Sequence, residues 1–155
     1  MTYATPVDVR LVAVEVVRPL RHRVLRGPDR PLSESVYPQD ELPATVHVAA
    51  YLDDGVVGCA TFFPEPFDGQ PAWRLRGMAT EPSVRRRGVG SALLSEGLRI
   101  VESAGVPLLW CNARTVALPF YRRHGFQTVG AEFLTATGIP HYVAVVSFPT
   151  KSTST

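Results

Sequence analysis

Between residues 72 and 101 the apolar rhythm of the chain changes from every second residue to every third or fourth, and one short turn makes the change. "AWRLRGMAT" (72–80) alternates as a strand does. Val89, Leu93, Leu94, Leu98 and Val101 then fall on one stripe of a helix, which Gly105 stops. Pro82 forbids simple continuation of the strand. Between strand and helix stands "SVRRRGVGS" (83–91), with three arginines running into two closely spaced glycines. A strand that feeds a helix so abruptly calls for a layered domain of sheet and helices.

The flanking sequence extends that reading. Val7, Val9 and Leu11 alternate with Asp8 and Arg10 as a first strand. "VVRPLRHRVLR" (16–26) predicts a short helix with Pro19 in its first turn and Gly27 after its end. Four prolines in residues 28–43 predict a long ordered loop with room for one helical turn. "TVHVAAYL" (45–52) and "VVGCATFF" (56–63) are strands joined by the turn "DDG". "PEPFDGQP" (64–71) breaks the pattern before the strand at 72–80. "VPLLWCNA" (106–113) is nearly all apolar and predicts a strand buried on both faces. A second helix is expected over 115–124, ending at Gly125, and "FQTVGAEFL" and "HYVAVVSF" close the chain as two strands. The order β, α, loop, βββ, α, β, α, ββ reads as an α/β or α+β fold with a mixed sheet. One domain is expected over 1–149, with a disordered tail at 150–155.

Composition narrows the function classes. A net charge of +2 is too mild for a dedicated nucleic-acid binder. Fifteen of the sixteen basic residues are arginine, a bias that carries no functional weight here. Cys59 and Cys111 each sit in an apolar run and read as buried free thiols. His22, His47, His124 and His141 are dispersed, and no cysteine–histidine cluster has zinc spacing, so no metal is expected. The N-terminus lacks the pattern of a signal peptide, and no apolar run approaches the ~20 residues of a membrane span. The expected compartment is the cytoplasm, with neither nucleic acid nor membrane as partner.

The first amides of a helix have no intrahelical acceptor and carry the positive end of its dipole. With Gly88 and Gly90 at that end, an anion can approach the backbone. A dinucleotide fingerprint needs a third glycine where Leu93 stands, and no P-loop string is present. The pyrophosphate of coenzyme A fits the arginines and glycines. A solvated basic turn capping an ordinary helix is the alternative.

Two motifs separate these readings. Arg85-x-x-Gly88-x-Gly90, followed by Asn112-x(4)-Ala117-x-x-Phe120-Tyr121-x-x-x-Gly125-Phe126, resembles the GNAT superfamily of N-acetyltransferases over about residues 44–148. The closing "GAEFLTATGIPHYVAV" is similar to a branch of small bacterial members whose acceptor is unknown. The resemblance implies a mixed, splayed sheet of about seven strands flanked by helices, with acetyl-CoA as acyl donor. It implies cofactor contacts from Met78, Ala79 and Thr80, whose strand would pair with pantetheine, and from Arg85, Arg86, Arg87, Gly88, Val89, Gly90 and Ser91 at the pyrophosphate. Thr80 stands where an apolar β-branched residue is common. Asn112 matches a frequent contact to the cofactor arm, or simply ends its strand. A homodimer through sheet edges is also in the family's habit.

The resemblance makes Tyr121 the general acid that protonates the leaving thiolate. A phenol of pKa ~10 keeps its proton at neutral pH. Phe120 reads as packing. A base is not evident. The strand before the turn offers Arg74 and Arg76, which cannot accept a proton. Glu81 and His47 are the nearest alternatives, the first a possible solvent-facing residue, the second as readily a sheet histidine; relay through water stays open. His124, just before the Gly125 cap, reads as a cation at the helix end, and His141 at most lines the acceptor site. Arg74 and Arg76, with His47, are the candidate acceptor contacts, suited to an amine that also bears a carboxylate; pairing of both arginines with acidic neighbours is the alternative. A non-catalytic acyl-CoA-binding module is the second functional reading.

Overall fold

The computed structural model describes residues 6–149, so the tail expected at 150–155 lies outside the described residues. The element order is β1 (Asp8–Val12), α1 (Val14–Leu25), β2 (Val46–Leu52), β3 (Gly55–Pro64), β4 (Trp73–Thr80), α2 (Val89–Ser103), β5 (Leu108–Arg114), α3 (Leu118–Arg123), β6 (Gln127–Leu134) and β7 (Pro140–Ser147). Short 3-10 turns occupy Leu32–Ser35, Pro82–Val84 and Thr115–Ala117. The strands form a seven-stranded sheet in the order β1-β2-β3-β4-β5-β7-β6. β1, β2 and β3 are joined antiparallel. β4 and β5 are parallel, with register at Trp73↔Leu109 and Arg74↔Trp110. β7 lies antiparallel between β5 and β6. The mixed sheet with helices is the architecture expected from the sequence.

The chain divides into two compact units, Met1–Phe63 with Arg76–Ile100 and Pro64–Leu75 with Val101–Thr155. In the first, β3 alternates between two helices. Cys59 packs with Val14, Val17 and Leu20 of α1, and Thr61 bonds Arg21 of the same helix. On the other face, Gly58 and Phe62 meet α2: a Cβ at Gly58 would stand 2.7 Å from Val89 and 2.8 Å from Leu93. Burial of such side chains supplies the main driving force, about 1.5–3 kcal/mol for each large one.

Gly97 lets α2 approach this closely. A Cβ there would sit 1.9 Å from Phe62 Cζ, and Phe62 is fully buried. Gly97→Ala gains about 1 kcal/mol of helix propensity, yet it must displace a ring that has nowhere to go. We predict a net loss of about 1–3 kcal/mol, the usual range for an overpacked core, seen as a lower urea midpoint. An unchanged or higher midpoint would show that the helix can shift away without cost.

In the second unit Leu108, Leu109, Cys111 and Ala113 of β5 are buried with Leu118 and Tyr121 of α3, Phe126 and Ala144. Several sequence expectations need adjustment. α1 begins at Val14, so Pro19 lies inside the helix rather than in its first turn. Its missing N–H would face Glu15, which is exposed and can turn its carbonyl to water. The second expected helix is a 3-10 turn followed by one short α-helix. β5 is not buried on both faces throughout, since Asn112 is exposed.

Candidate active site

The first unit carries the arginine–glycine turn. After the 3-10 turn at Pro82–Val84 the backbone reverses through positive φ at Arg86 (+68°) and Gly88 (+78°). Arg85, Arg86, Arg87 and Gly88 are exposed, whereas Val89 is buried and anchors the helix start. The helical ladder opens with Ala92 N–H donating to Gly88 O at 3.0 Å. A Cβ at Gly88 would meet nothing within 4 Å, so the backbone is open to an approaching group. Three exposed guanidinium groups and a helix start are suited to a pyrophosphate.

β4 leads into this turn. Ala79 is buried in the core against α1, while Met78 and Thr80 are half-buried. Within the strand Gly77 has φ +66°, and its α-carbon lies against Arg21 and Tyr37. A side chain is excluded there twice over, by backbone strain and by a Cβ contact of 2.8 Å to Arg21 Nε.

Beside β4 lies a polar cluster that sequence reading missed. Arg21 is fully buried. It donates to Asp40 Oδ2 (2.9 Å), Ser35 O (3.0 Å) and Thr61 Oγ1 (2.6 Å). Asp40 also accepts from Arg18 (3.3 Å) and from the Tyr37 amide (3.0 Å). Burial pushes the Asp40 carboxyl up, but bonds from Arg21, Tyr37 and Arg18 outweigh it and hold the group below the usual carboxylate range. The signals were present: an arginine on the apolar stripe of α1, and Tyr37 and Asp40 three apart in a proline-rich loop. Nothing in the spacing tied them to each other.

His47 is buried in this cluster. Its Nε2–H donates to Asp40 O (2.9 Å), which leaves Nδ1 as acceptor for the Thr61 hydroxyl (2.8 Å). It is the sheet histidine that its alternation allowed, with each ring nitrogen bonded to a protein partner. Glu81 does not simply face solvent, because Arg23 of α1 donates to it at 2.8 Å. Arg76 donates to Gln39 Oε1 (3.4 Å) and its guanidinium stacks on the Tyr37 ring at 3.9 Å.

The second unit carries Tyr121 on α3. Its ring makes edge contacts with Phe120 and Phe126, each at 5.2 Å between centroids. Its hydroxyl shares a hydrogen bond with the Cys111 thiol. Burial, then the neighbouring Cys111, drives the phenol pKa well above its ordinary value. Burial likewise pushes the Cys111 thiol up to about 12 and the Cys59 thiol of the first unit up to about 12. Both cysteines are free and buried, as expected. Asn112, exposed on β5, registers with Val143.

Arg74 takes the structural alternative. It pairs with Glu65 at 2.9 Å and stacks on Trp110 at 4.6 Å, while Trp110 Nε1–H donates to Glu65 O at 3.0 Å. This lock ties the loop after β3 to β5 and commits the Arg74 guanidinium to Glu65 and Trp110. His141 Nδ1–H donates to Ile139 O at 2.8 Å. Burial and then Arg123 lower the His124 pKa, which weakens its charge at the end of α3, where Arg122 and Arg123 lie in the last turn. No helix among the described residues is long and apolar enough to cross a membrane.

Comparison with known proteins gives this arrangement a family. A model described as an acetyltransferase (GNAT) domain matches residues 43–128, more than half of the chain. The uncharacterized N-acetyltransferase YitI of Bacillus subtilis (strain 168) is 31% identical over 132 residues, which is 81% of this chain and 86% of that protein. Among solved structures, Escherichia coli ElaA has a TM-score of 0.77 at 16% identity, covering 91% of this chain and 99% of its own. An aminoglycoside 6'-N-acetyltransferase complexed with coenzyme A has a TM-score of 0.72 at 17% identity, covering 92% and 98%. At those identities the solved structures speak for the fold, and the sequence matches speak for descent. The chain belongs to the GNAT family of acetyltransferases.

Proposed function

We propose that this acetyltransferase moves an acetyl group from acetyl-CoA to the primary amine of a small molecule that also bears an acidic group. The observation that carries the reading is the Arg85–Ser91 turn, exposed, cationic and opening α2 in a chain whose family uses acetyl-CoA. Arg85, Arg86 and Arg87 neutralise the pyrophosphate, and the backbone from Gly88 through Val89 and Gly90 to Ser91 lets it approach the helix start. Met78, Ala79 and Thr80 of β4 hold the pantetheine arm, and Asn112 of β5 contributes a polar contact to it. The thioester supplies an activated acyl carbon, and backbone N–H groups at Met78 and Ala79 polarise its carbonyl.

Tyr121 is the proposed acid. Its raised pKa keeps the proton on oxygen at every working pH, so it can donate to sulfur as negative charge grows there. Among the groups weighed as base, Glu81 is held by Arg23, and both nitrogens of His47 are engaged. These placements favour loss of the amine proton through water rather than to a dedicated side chain. Arg76 is the acceptor contact retained, through its suitability for a carboxylate. A homodimer completes the reading that the family resemblance supports, and the free, buried Cys59 and Cys111 fit a reducing cytoplasm.

Release of free CoA, followed with a thiol reagent over a panel of primary amines, tests the proposal. Release that depends on both acetyl-CoA and a particular amine is expected. Tight CoA binding with no release over any amine would favour a binding module instead.

A further inference from the structure

Tyr37 is fixed with unusual thoroughness for a loop residue. Its ring is 7% exposed, and two guanidinium groups stack on it, Arg21 at 4.0 Å and Arg76 at 3.9 Å from the centroid. Each such contact holds the ring's position as well as its energy. Its amide donates to Asp40 Oδ2, and its carbonyl accepts from the Asp40 amide, both at 3.0 Å. Arg21 is itself pinned by Asp40, Ser35 and Thr61. The ring therefore has one place to be.

The hydroxyl at the end of this fixed ring has no hydrogen-bond partner among the described residues. The hydroxyl lies against β4 at Gly77, where a Cβ would stand 3.3 Å from it. A second donor faces the same spot: Arg21 Nε, buried and without a partner, would stand 2.8 Å from that Cβ. Both atoms lie against the backbone one residue before Met78, Arg21 Nε on its fully buried side. Asp40 lies in the same cluster, with Oδ2 engaged by Arg21, Arg18 and the Tyr37 amide and Oδ1 buried without a partner.

We propose that the Tyr37 hydroxyl is a specificity contact for the acceptor, donating a hydrogen bond to the carboxylate of an amino acid beside β4. The inference rests on the acceptor reading given above and adds to it a residue that selects among amines. Arg21, fully buried and paired with Asp40, does not touch a ligand but holds the ring. Arg76, stacked on the same ring, supplies charge of the matching sign.

The test uses Tyr37→Phe, which keeps the ring between the guanidiniums and removes the hydroxyl. Acetylation of the protein amino acids and ornithine is compared with that of their decarboxylated amines, such as histidine with histamine and ornithine with putrescine. Wild type is expected to prefer the amino acids. The variant is expected to lose roughly ten- to a hundredfold in kcat/KM on them, the range for a hydrogen bond to a charged group, and to stay within twofold on the decarboxylated amines. CoA affinity by calorimetry and Tm are expected to hold. Equal losses on both kinds of amine, no loss on either, or a wild-type preference for amines without a carboxylate would overturn the role of Tyr37 while leaving amine acetylation intact. No turnover of any of these amines by wild type would instead overturn the acceptor reading, and this inference with it.

Discussion

Tyr121→Phe is expected to lower kcat by about 10²–10⁴-fold, the usual contribution of a positioned acid or base, with CoA affinity and Tm little changed. The edge contacts with Phe120 and Phe126 survive in a phenylalanine, so the substitution removes the hydroxyl and little else. The hydroxyl is shielded from water and bonded to the Cys111 thiol. Its pKa lies above the ordinary ~10 of a tyrosine. A raised pKa means that the protonated form persists as pH climbs past that value. Wild-type kcat should therefore show no alkaline limb from this group below about pH 10. Cys111, pushed up to about 12, stays protonated over the same range and adds no limb of its own. Steady-state rates of wild type and variant, taken from neutral pH to about 10, check both statements. A variant within twofold of wild type would leave Tyr121 as a packing residue.

Gly90→Glu is expected to weaken CoA binding by roughly a hundredfold, the loss of about two charge-assisted contacts. Its value as a test lies in the opposite sign expected for stability. Gly90 is the second residue of α2, and glutamate there raises helix propensity and places negative charge at the positive end of the dipole. The same carboxylate stands where a pyrophosphate would come to the backbone, beside Arg85, Arg86 and Arg87. Calorimetry with CoA and a thermal melt on one preparation should therefore show lost affinity with an equal or higher Tm. Unchanged affinity in the folded variant would place the phosphates elsewhere.

Periodicity made most of this fold legible. β4 and α2 differ in period, and Pro82 with the glycines marks the junction, so both elements and the turn between them are visible in the residues. The strands from Val46 to Pro64 alternate as β3 does between α1 and α2. What stayed hidden has physical reasons. The start of α1 is blurred because Val14 and Glu15 continue a run that also reads as strand, and Pro19 invites an N-terminal placement. The positive φ of Gly77 depends on Arg21 and Tyr37, more than forty and exactly forty residues away in sequence, and no local pattern announces it. The same holds for Arg74, whose partner Glu65 follows a turn. On β4 the alternation does give the faces, yet each arginine's partner is a matter of tertiary structure. The residues proposed for the cofactor rest on motif and turn chemistry, which are local. The polar cluster of Arg21, Tyr37, Asp40 and His47 joins α1, the loop after it and β2, and such assemblies leave no local signature.

The central claim is that acetyl passes from the thioester to an amine nitrogen. Acetyl-CoA labelled with carbon-13 in the acetyl group, incubated with the protein and the amine that gives the fastest CoA release, tests it directly by NMR. The account predicts that the label appears in an amide on that nitrogen, in step with free CoA. Label that accumulates as free acetate, or stays on CoA, would contradict it.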